Sequence, residues 1–137
     1  MMPILEQRNI YKCEPSRAWV NLSVFSPTGD SRQCEFLVDT GNPCPLIVGS
    51  EFMIAMRWRT SAGIESNFGS MDAGWLSLAV PEFGSEFKTI CYANDIVLNV
   101  VRRSKDSFAG LVGLPLLRMM EFGGDQGYFW VRPIRGD

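Results

Sequence analysis

The sequence predicts an all-β domain with one or two short helices. Alternating apolar and polar residues at 18–25 have the two-residue period of a half-buried strand. Clusters of glycine, proline and small polar residues at 27–30 and 81–85 separate further apolar segments, which is typical of β-hairpins. The chain has 137 residues, 46% of them hydrophobic, and this is enough for one domain with a single core.

The first predicted hairpin ends in an acid. Its strands cover 18–25 and 33–38, and its turn covers 27–30. The second strand finishes with the apolar run Phe36-Leu37-Val38 and leads directly into Asp39-Thr40-Gly41. We therefore expect Asp39 at the buried end of a strand, where burial and neighbouring groups can shift the pKa of a carboxyl group.

The middle of the chain alternates between loops and short elements. Pro43 and Pro45 predict an irregular loop at 42–45, because proline disfavours helix at its own position and at the one before. Ser50 is expected to cap a short helix that runs to about Met56. The other predictions are a strand at 46–48, a mobile hairpin or loop at 59–74, and a second hairpin with strands at 75–80 and 87–92.

A strand that leads into a helix is predicted in the last third of the chain. Leu111-Val112-Gly113 indicates a short buried strand, and Pro115 suits the first turn of a helix that offers Leu116, Leu117 and Met120 to the core. The remaining predictions are a strand at 96–101, a solvated charged loop at 102–106, a turn at 123–127 and a final strand at 128–131.

Composition excludes several kinds of site. The chain has no histidine, so by itself it cannot form a Ser-His-Asp triad, a Cys-His pair or a histidine metal site. Cys13, Cys34, Cys44 and Cys91 lack Cys-x-x-Cys spacing, which favours buried free thiols. The net charge is -2 without a basic run, and no apolar stretch approaches the roughly 18 residues of a membrane span. We expect no metal, no cofactor, no nucleic-acid or membrane partner, and a cytoplasmic location.

Asp39 is the candidate catalytic residue. Because the chain has no histidine, the side chains available for acid–base catalysis are carboxylates, thiols, hydroxyls and lysines. A carboxylate at the end of an apolar strand is typical of a catalytic acid. The structural alternative is an aspartate that forms an Asx turn ahead of Gly41.

The order of these features resembles that of the retropepsin-like aspartic proteases. The resemblance covers about residues 18 to 132 and rests on Asp39-Thr40-Gly41 after an apolar strand and on Gly110-Leu111-Val112-Gly113 before a short helix. It implies a retropepsin-like barrel in which Asp39 is catalytic, Thr40 and Gly41 support the active-site loop, and Leu111, Val112 and Gly113 form a second loop motif. It also implies a substrate-covering flap within 60–76.

The chain departs from the family pattern at Asn42-Pro43, where an alanine or serine commonly follows the glycine. The segment with Pro45 and the helix from Ser50 is more similar to bacterial members of the family than to viral ones.

Peptide hydrolysis by this route requires two carboxylates that share a proton. Asp72-Ala73-Gly74 lacks a preceding apolar strand and is rejected as a second motif, so we expect the missing acid from Asp39 of a second subunit in a homodimer. The strand at 128–131 is interpreted as an edge that pairs across this dimer, and packing in the monomer core is the alternative.

The chain accordingly divides into an N-terminal segment at 1–17 that could contribute to a dimer interface, a protease domain at 18–132 and a C-terminal tail at 133–137. The predicted function is an aspartic endopeptidase acting on polypeptides. Two alternatives stay open: a non-catalytic dimerisation or peptide-binding module of the same fold, and an unrelated small β-barrel with a chance motif.

Overall fold

Strands dominate the computed structural model, which describes residues 10–13, 17–66, 69–81, 83, 86–101 and 108–134. The strands of the described residues are β1 (Ile10–Lys12), β2 (Trp19–Phe25), β3 (Ser31–Asp39), β4 (Leu46–Val48), β5 (Arg59–Ser66), β6 (Gly69–Ala79), β7 (Glu86–Ala93), β8 (Gly110–Gly113), β9 (Met120–Gly124) and β10 (Tyr128–Pro133). The helices are α1 (Ser50–Met56), α2 (Asp95–Val101) and α3 (Leu114–Leu117). The predicted β class is confirmed.

Six strands close into a barrel. They are hydrogen-bonded in the order β2-β3-β8-β4-β7-β6, and an additional antiparallel pairing between β2 and β6 completes the ring. Both predicted hairpins are confirmed, since β2 pairs with β3 and β6 pairs with β7. The turn between β2 and β3 contains Gly29 with φ at 93°, a conformation that favours glycine. β5 lies outside the ring, and among the described strands it pairs with β6 alone.

Two pairings of β8 join distant parts of the chain. β8 runs parallel to β3, with Phe36 opposite Gly110 and Asp39 opposite Gly113. On its other side β8 runs antiparallel to β4, with Leu46 opposite Val112. The two motifs that carry the family resemblance therefore lie side by side in the wall of the barrel.

Apolar side chains fill the barrel. On β2 the alternate residues Val20, Leu22 and Val24 are fully buried, as the sequence pattern predicts. Other buried members of this core come from β3, β4 and β6 to β10, from the residue after β6, and from α1 and α3, namely Phe36, Leu46, Val48, Met53, Met56, Leu76, Leu78, Val80, Cys91, Val112, Leu116, Leu117, Met120 and Val131. A second cluster includes Leu37 of β3, Leu111 of β8 and Leu98 of α2. Apolar groups thus cover both faces of the sheet at Phe36-Leu37 of β3 and at Leu111-Val112 of β8.

A separate sheet consists of β1, β10 and β9 in that order. Its central strand is β10, with Phe129 opposite Tyr11 on one side and Gly124 on the other. The prediction that 128–131 is an edge strand is therefore wrong, because both neighbours of β10 come from the same chain. The alternative of packing in the monomer core holds for Val131, which is fully buried, whereas Tyr128 is 53% exposed.

Residues 96–101 belong to helix α2, and the predicted strand is wrong. Leu98 is fully buried, whereas Ile96 and Val100 are 62% and 56% exposed, although a strand would place all three on one face. The Asn94 side chain accepts a hydrogen bond from the Val97 N–H at 3.1 Å and caps the helix. The residues at 96–101 are apolar apart from Asn99, and so short a run does not distinguish strand from helix by its period.

The helices differ from the predictions in two further details. Gly49 occupies the capping position of α1, and the Ser50 N–H and hydroxyl instead donate to the Asp95 carboxylate at 3.0 and 2.6 Å. α3 ends at Leu117, so Met120 does not belong to the helix as predicted. Met120 is the first residue of β9 and is buried there. The predicted loop at 102–106 lies outside the described residues. Among the described residues, no helix has the length and apolar character needed to cross a membrane.

Candidate active site

The acid loop, residues 39–45, begins where β3 ends. Asp39 is the last residue of β3, and its Oδ1 accepts a hydrogen bond from the Gly41 N–H at 3.2 Å. The Asn42 N–H donates to the Asp39 carbonyl oxygen at 3.1 Å and closes a tight turn. Asp39 thus forms an Asx turn, as the structural alternative predicts. It also lies at the end of a strand, as the catalytic interpretation requires.

Asp39, Thr40 and Gly41 are all exposed in the single chain. The predicted burial of Asp39 is therefore wrong. Burial along β3 ends at Leu37, and Val38 is only half-buried, because the strand reaches the rim of the barrel there. The carboxylate is consequently accessible to water, to a substrate or to another protein.

The motif Leu111-Val112-Gly113 supports the acid loop from the neighbouring strand. β8 is buried along its whole length, and a Cβ atom at Gly113 would overlap the carbonyl oxygen of Cys44 and lie 2.7 Å from that of Asn42. The Gly113 N–H donates to the Pro45 carbonyl oxygen at 3.0 Å. The acid loop therefore rests directly on β8, where only glycine leaves room for it.

Asn42 holds the acid loop from inside. Its Oδ1 accepts a hydrogen bond from the Cys44 N–H at 3.0 Å, and the residue is only 7% exposed. Within the part of the chain that the structure describes, its Nδ2 has no hydrogen-bond partner. A buried polar group without a partner costs about 1–3 kcal/mol, so this donor calls for an acceptor. In the sequence, Asn42 was notable only as a departure from the family pattern, and nothing in the sequence predicted that it is buried.

A groove of about 530 Å³ lies beside the acid loop. Asp39 and Gly41 line it together with Ile64, Glu65 and Met71 of the β5–β6 hairpin. The other lining residues that the structure describes are Asn42, Pro43, Cys44, Ile47, Val97 and Leu111. The structure therefore brings the acid, one residue of the β8 motif and the hairpin to the same groove.

The β5–β6 hairpin occupies the stretch in which the resemblance implies a flap. Residues 60–76 fall within β5 and β6, and the turn at 67–68 lies outside the described residues. The rejected motif Asp72-Ala73-Gly74 lies inside β6, where Ala73 and Gly74 pair with both neighbouring strands, so it forms no strand-end loop. Glu65 lies within the stretch in which the resemblance implies a flap, but nothing in the sequence singled out this residue, because its place beside Asp39 depends on the folding of the barrel.

Cys44 brings a thiol to the groove. Burial raises the pKa of Cys44, which keeps this thiol protonated at neutral pH. All four cysteines are free, and Cys44 and Cys91 are buried. Among the described residues, no group of three or more cysteine, aspartate or glutamate side chains is placed to hold a metal ion. Asp39 and Glu65 are the carboxylates among the described lining residues of the groove.

Comparison with known proteins transfers no function to this chain. No protein-family profile matches the sequence, no curated protein matches it, and no solved structure matches the fold.

Proposed function

We propose that this protein is a retropepsin-like aspartic endopeptidase in which two Asp39 carboxylates, one from each of two copies of the chain, activate a water molecule. The proposal is supported above all by the position of Asp39, which ends β3 opposite Gly113 and lines a groove with the β5–β6 hairpin. A polypeptide that occupies this groove lies next to the acid.

Two carboxylates have different tasks in this reaction. The ionised one removes a proton from water as the water attacks the peptide carbonyl carbon, and the protonated one donates a hydrogen bond to the carbonyl oxygen. Two such acids share one proton, because like charges at short range do not both ionise easily. Each chain contributes one Asp39, and its exposure allows it to meet its counterpart across a two-fold axis.

Thr40 and Gly41 have supporting roles in this proposal. The Gly41 N–H donates to Asp39 Oδ1 and so orients the carboxylate. Gly41 also allows two acid loops to approach each other without a side chain between them, and the Thr40 hydroxyl orients the loop. The polypeptide substrate, the homodimer and the cytoplasmic location remain predictions.

A non-catalytic peptide-binding module is the second candidate function. β5 is the terminal strand of the seven-stranded sheet and pairs only with β6 within the described chain. An extended peptide can add to such an edge by main-chain hydrogen bonds, with its side chains in a neighbouring groove. This function needs no second Asp39.

Replacement of Asp39 distinguishes the two functions. We expect Asp39→Asn to abolish cleavage of an unstructured protein substrate while the variant stays folded. Asp72→Asn is the matched control, because Asp72 is also an exposed aspartate two residues before a glycine, yet it lies in mid-strand. Unchanged cleavage by Asp39→Asn would reject the enzyme. Wild-type protein that binds peptides but cleaves none between acidic and neutral pH would support the module.

The shared site is tested separately by sedimentation. We expect activity to rise with the dimer fraction as the protein concentration increases. A monomer that is fully active at every concentration would contradict a site built from two copies.

A further inference from the structure

We propose that Glu65 makes this groove selective for polypeptide segments with a lysine or arginine side chain. The inference rests on the proposed function and deepens it by naming the class of substrate. It assigns a role in specificity to the β5–β6 hairpin, which lines the groove together with the acid.

The charge of the groove supports a cationic occupant. Asp39 and Glu65 are both carboxylates, and none of the described lining residues is a lysine or an arginine. Most of the other described lining residues are apolar, among them Ile47, Ile64 and Met71. Lysine and arginine match both features, because their apolar stems pack on hydrophobic walls while their charged ends reach a carboxylate.

The Glu65 carboxylate is held in a defined orientation. Glu65 and Ser70 are direct partners in the antiparallel ladder of β5 and β6, so their side chains lie on the same face. The Ser70 hydroxyl donates a hydrogen bond to Glu65 Oε1 at 2.6 Å. A carboxylate can accept about four hydrogen bonds, so this contact orients Glu65 and leaves acceptor capacity for a cation.

Asn42 also lines the groove, but its Nδ2 is enclosed by the protein and is not available to an occupant. The two carboxylates and the apolar walls therefore carry the inference. Together they fit an extended basic peptide.

Glu65 is a better partner for the cation than Asp39. In the proposed reaction the two Asp39 carboxylates share a proton and contact the attacking water, so their charge is committed to catalysis. Glu65 lies on a different element from the acid loop and is free of that task. We therefore assign the selectivity to Glu65.

Matched peptides test this assignment. A lysine is moved through successive positions of an extended peptide of otherwise uncharged residues, and each peptide is compared with versions that carry norleucine or glutamate at the same position. Binding to Asp39→Asn protein is measured by fluorescence anisotropy, and cleavage by wild-type protein is measured as kcat/KM. At one position we expect lysine to exceed norleucine by about fivefold, the effect of one partly exposed ion pair.

Two variants of Glu65 complete the experiment. Glu65→Gln keeps an acceptor for Ser70 and removes the charge, so the lysine preference should disappear in binding and in cleavage. Glu65→Lys should reverse the preference towards glutamate. Circular dichroism verifies that both variants are folded.

The outcomes separate this inference from the proposed function. Cleavage without any preference for lysine, or a preference that survives in Glu65→Gln, overturns the inference and leaves the enzyme in place. Lysine-selective binding without cleavage by wild-type protein rejects the enzyme and supports the inference for a peptide-binding module. Protein that neither binds nor cleaves these peptides contradicts both.

Discussion

Asp39 and Gly113 are direct neighbours in the parallel ladder between β3 and β8, although they lie far apart in the sequence. Asp39 carries the exposed carboxylate. Gly113 has no side chain, so the acid loop can cross β8 there, close to the Cys44 carbonyl oxygen and hydrogen-bonded through Pro45. The position of the acid therefore depends on the absence of a side chain on the adjacent strand.

Gly113→Ala should destabilise the protein and disrupt the acid loop. The new Cβ would overlap the Cys44 carbonyl oxygen, which belongs to the backbone and cannot turn away. We expect the free energy of unfolding in urea to fall by about 2–3 kcal/mol, as for other overpacked sites. Gly127→Ala is the control, since among the described atoms its Cβ would approach only Asp125 Oδ1, at 3.7 Å. Equal stability of the two variants would contradict the predicted clash.

Gly41→Ala should separate stability from activity. A Cβ at Gly41 would lie 3.6 Å from Asp39 Oδ1, an ordinary contact, so the free energy of unfolding of the monomer should change by less than about 0.5 kcal/mol. Close approach of two acid loops would be hindered, so dimer formation and cleavage should both decrease. Sedimentation and a cleavage assay measure these effects, and wild-type behaviour in both would show that the loops do not meet at Gly41.

Cys91 should make the protein less stable at high pH. Burial, together with the nearby Cys44 thiol, raises the pKa of Cys91 above its ordinary value of 9.0. Below pH 9 the thiol is protonated in both states and has no effect. Above pH 9 it ionises more readily in the unfolded chain, so the free energy of unfolding should fall by up to about 1.4 kcal/mol per pH unit.

Urea unfolding between pH 8 and pH 10 measures the Cys91 effect. The decline in stability should be smaller in Cys91→Ala than in wild-type protein. Cys13→Ser is the control, because it removes a thiol from a half-buried site. Parallel slopes in wild type and Cys91→Ala would show that Cys91 ionises normally in the folded state.

Asp125 should stabilise the turn between β9 and β10 at neutral pH. The N–H groups of Gly127 and Tyr128 donate to its Oδ1 at 2.8 and 3.0 Å, and these bonds lower the pKa of the Asp125 carboxyl. The stabilisation is present above the ordinary aspartate pKa of about 4 and is lost as the pH falls through the lower pKa of the folded state.

Thermal unfolding between pH 6 and pH 2 measures the effect of Asp125. The wild-type Tm should fall more steeply than that of Asp125→Asn, which keeps an acceptor oxygen but does not ionise. Identical pH profiles would mean that the two N–H bonds do not favour the ionised form.

Local sequence patterns were sufficient for most of the barrel strands. The alternation at 18–25 and the turn at Gly29 predict the first hairpin, and Gly113 followed by Pro115 predicts the boundary between β8 and α3. These features depend on residues close together in the chain. The apolar run at 96–101 was compatible with a strand or a helix. It forms a helix in which Leu98 packs into the second apolar cluster.

Residue types and short spacings are sufficient to predict the β class of the chain, the exclusion of histidine chemistry and the acid at the end of a strand. The place of β10 between β1 and β9, the exposure of Asp39, and the groove that Glu65 and Asn42 line with it follow from long-range contacts. These facts depend on which distant segments pair, and that pairing is decided by the packing of the whole core and not by local propensity.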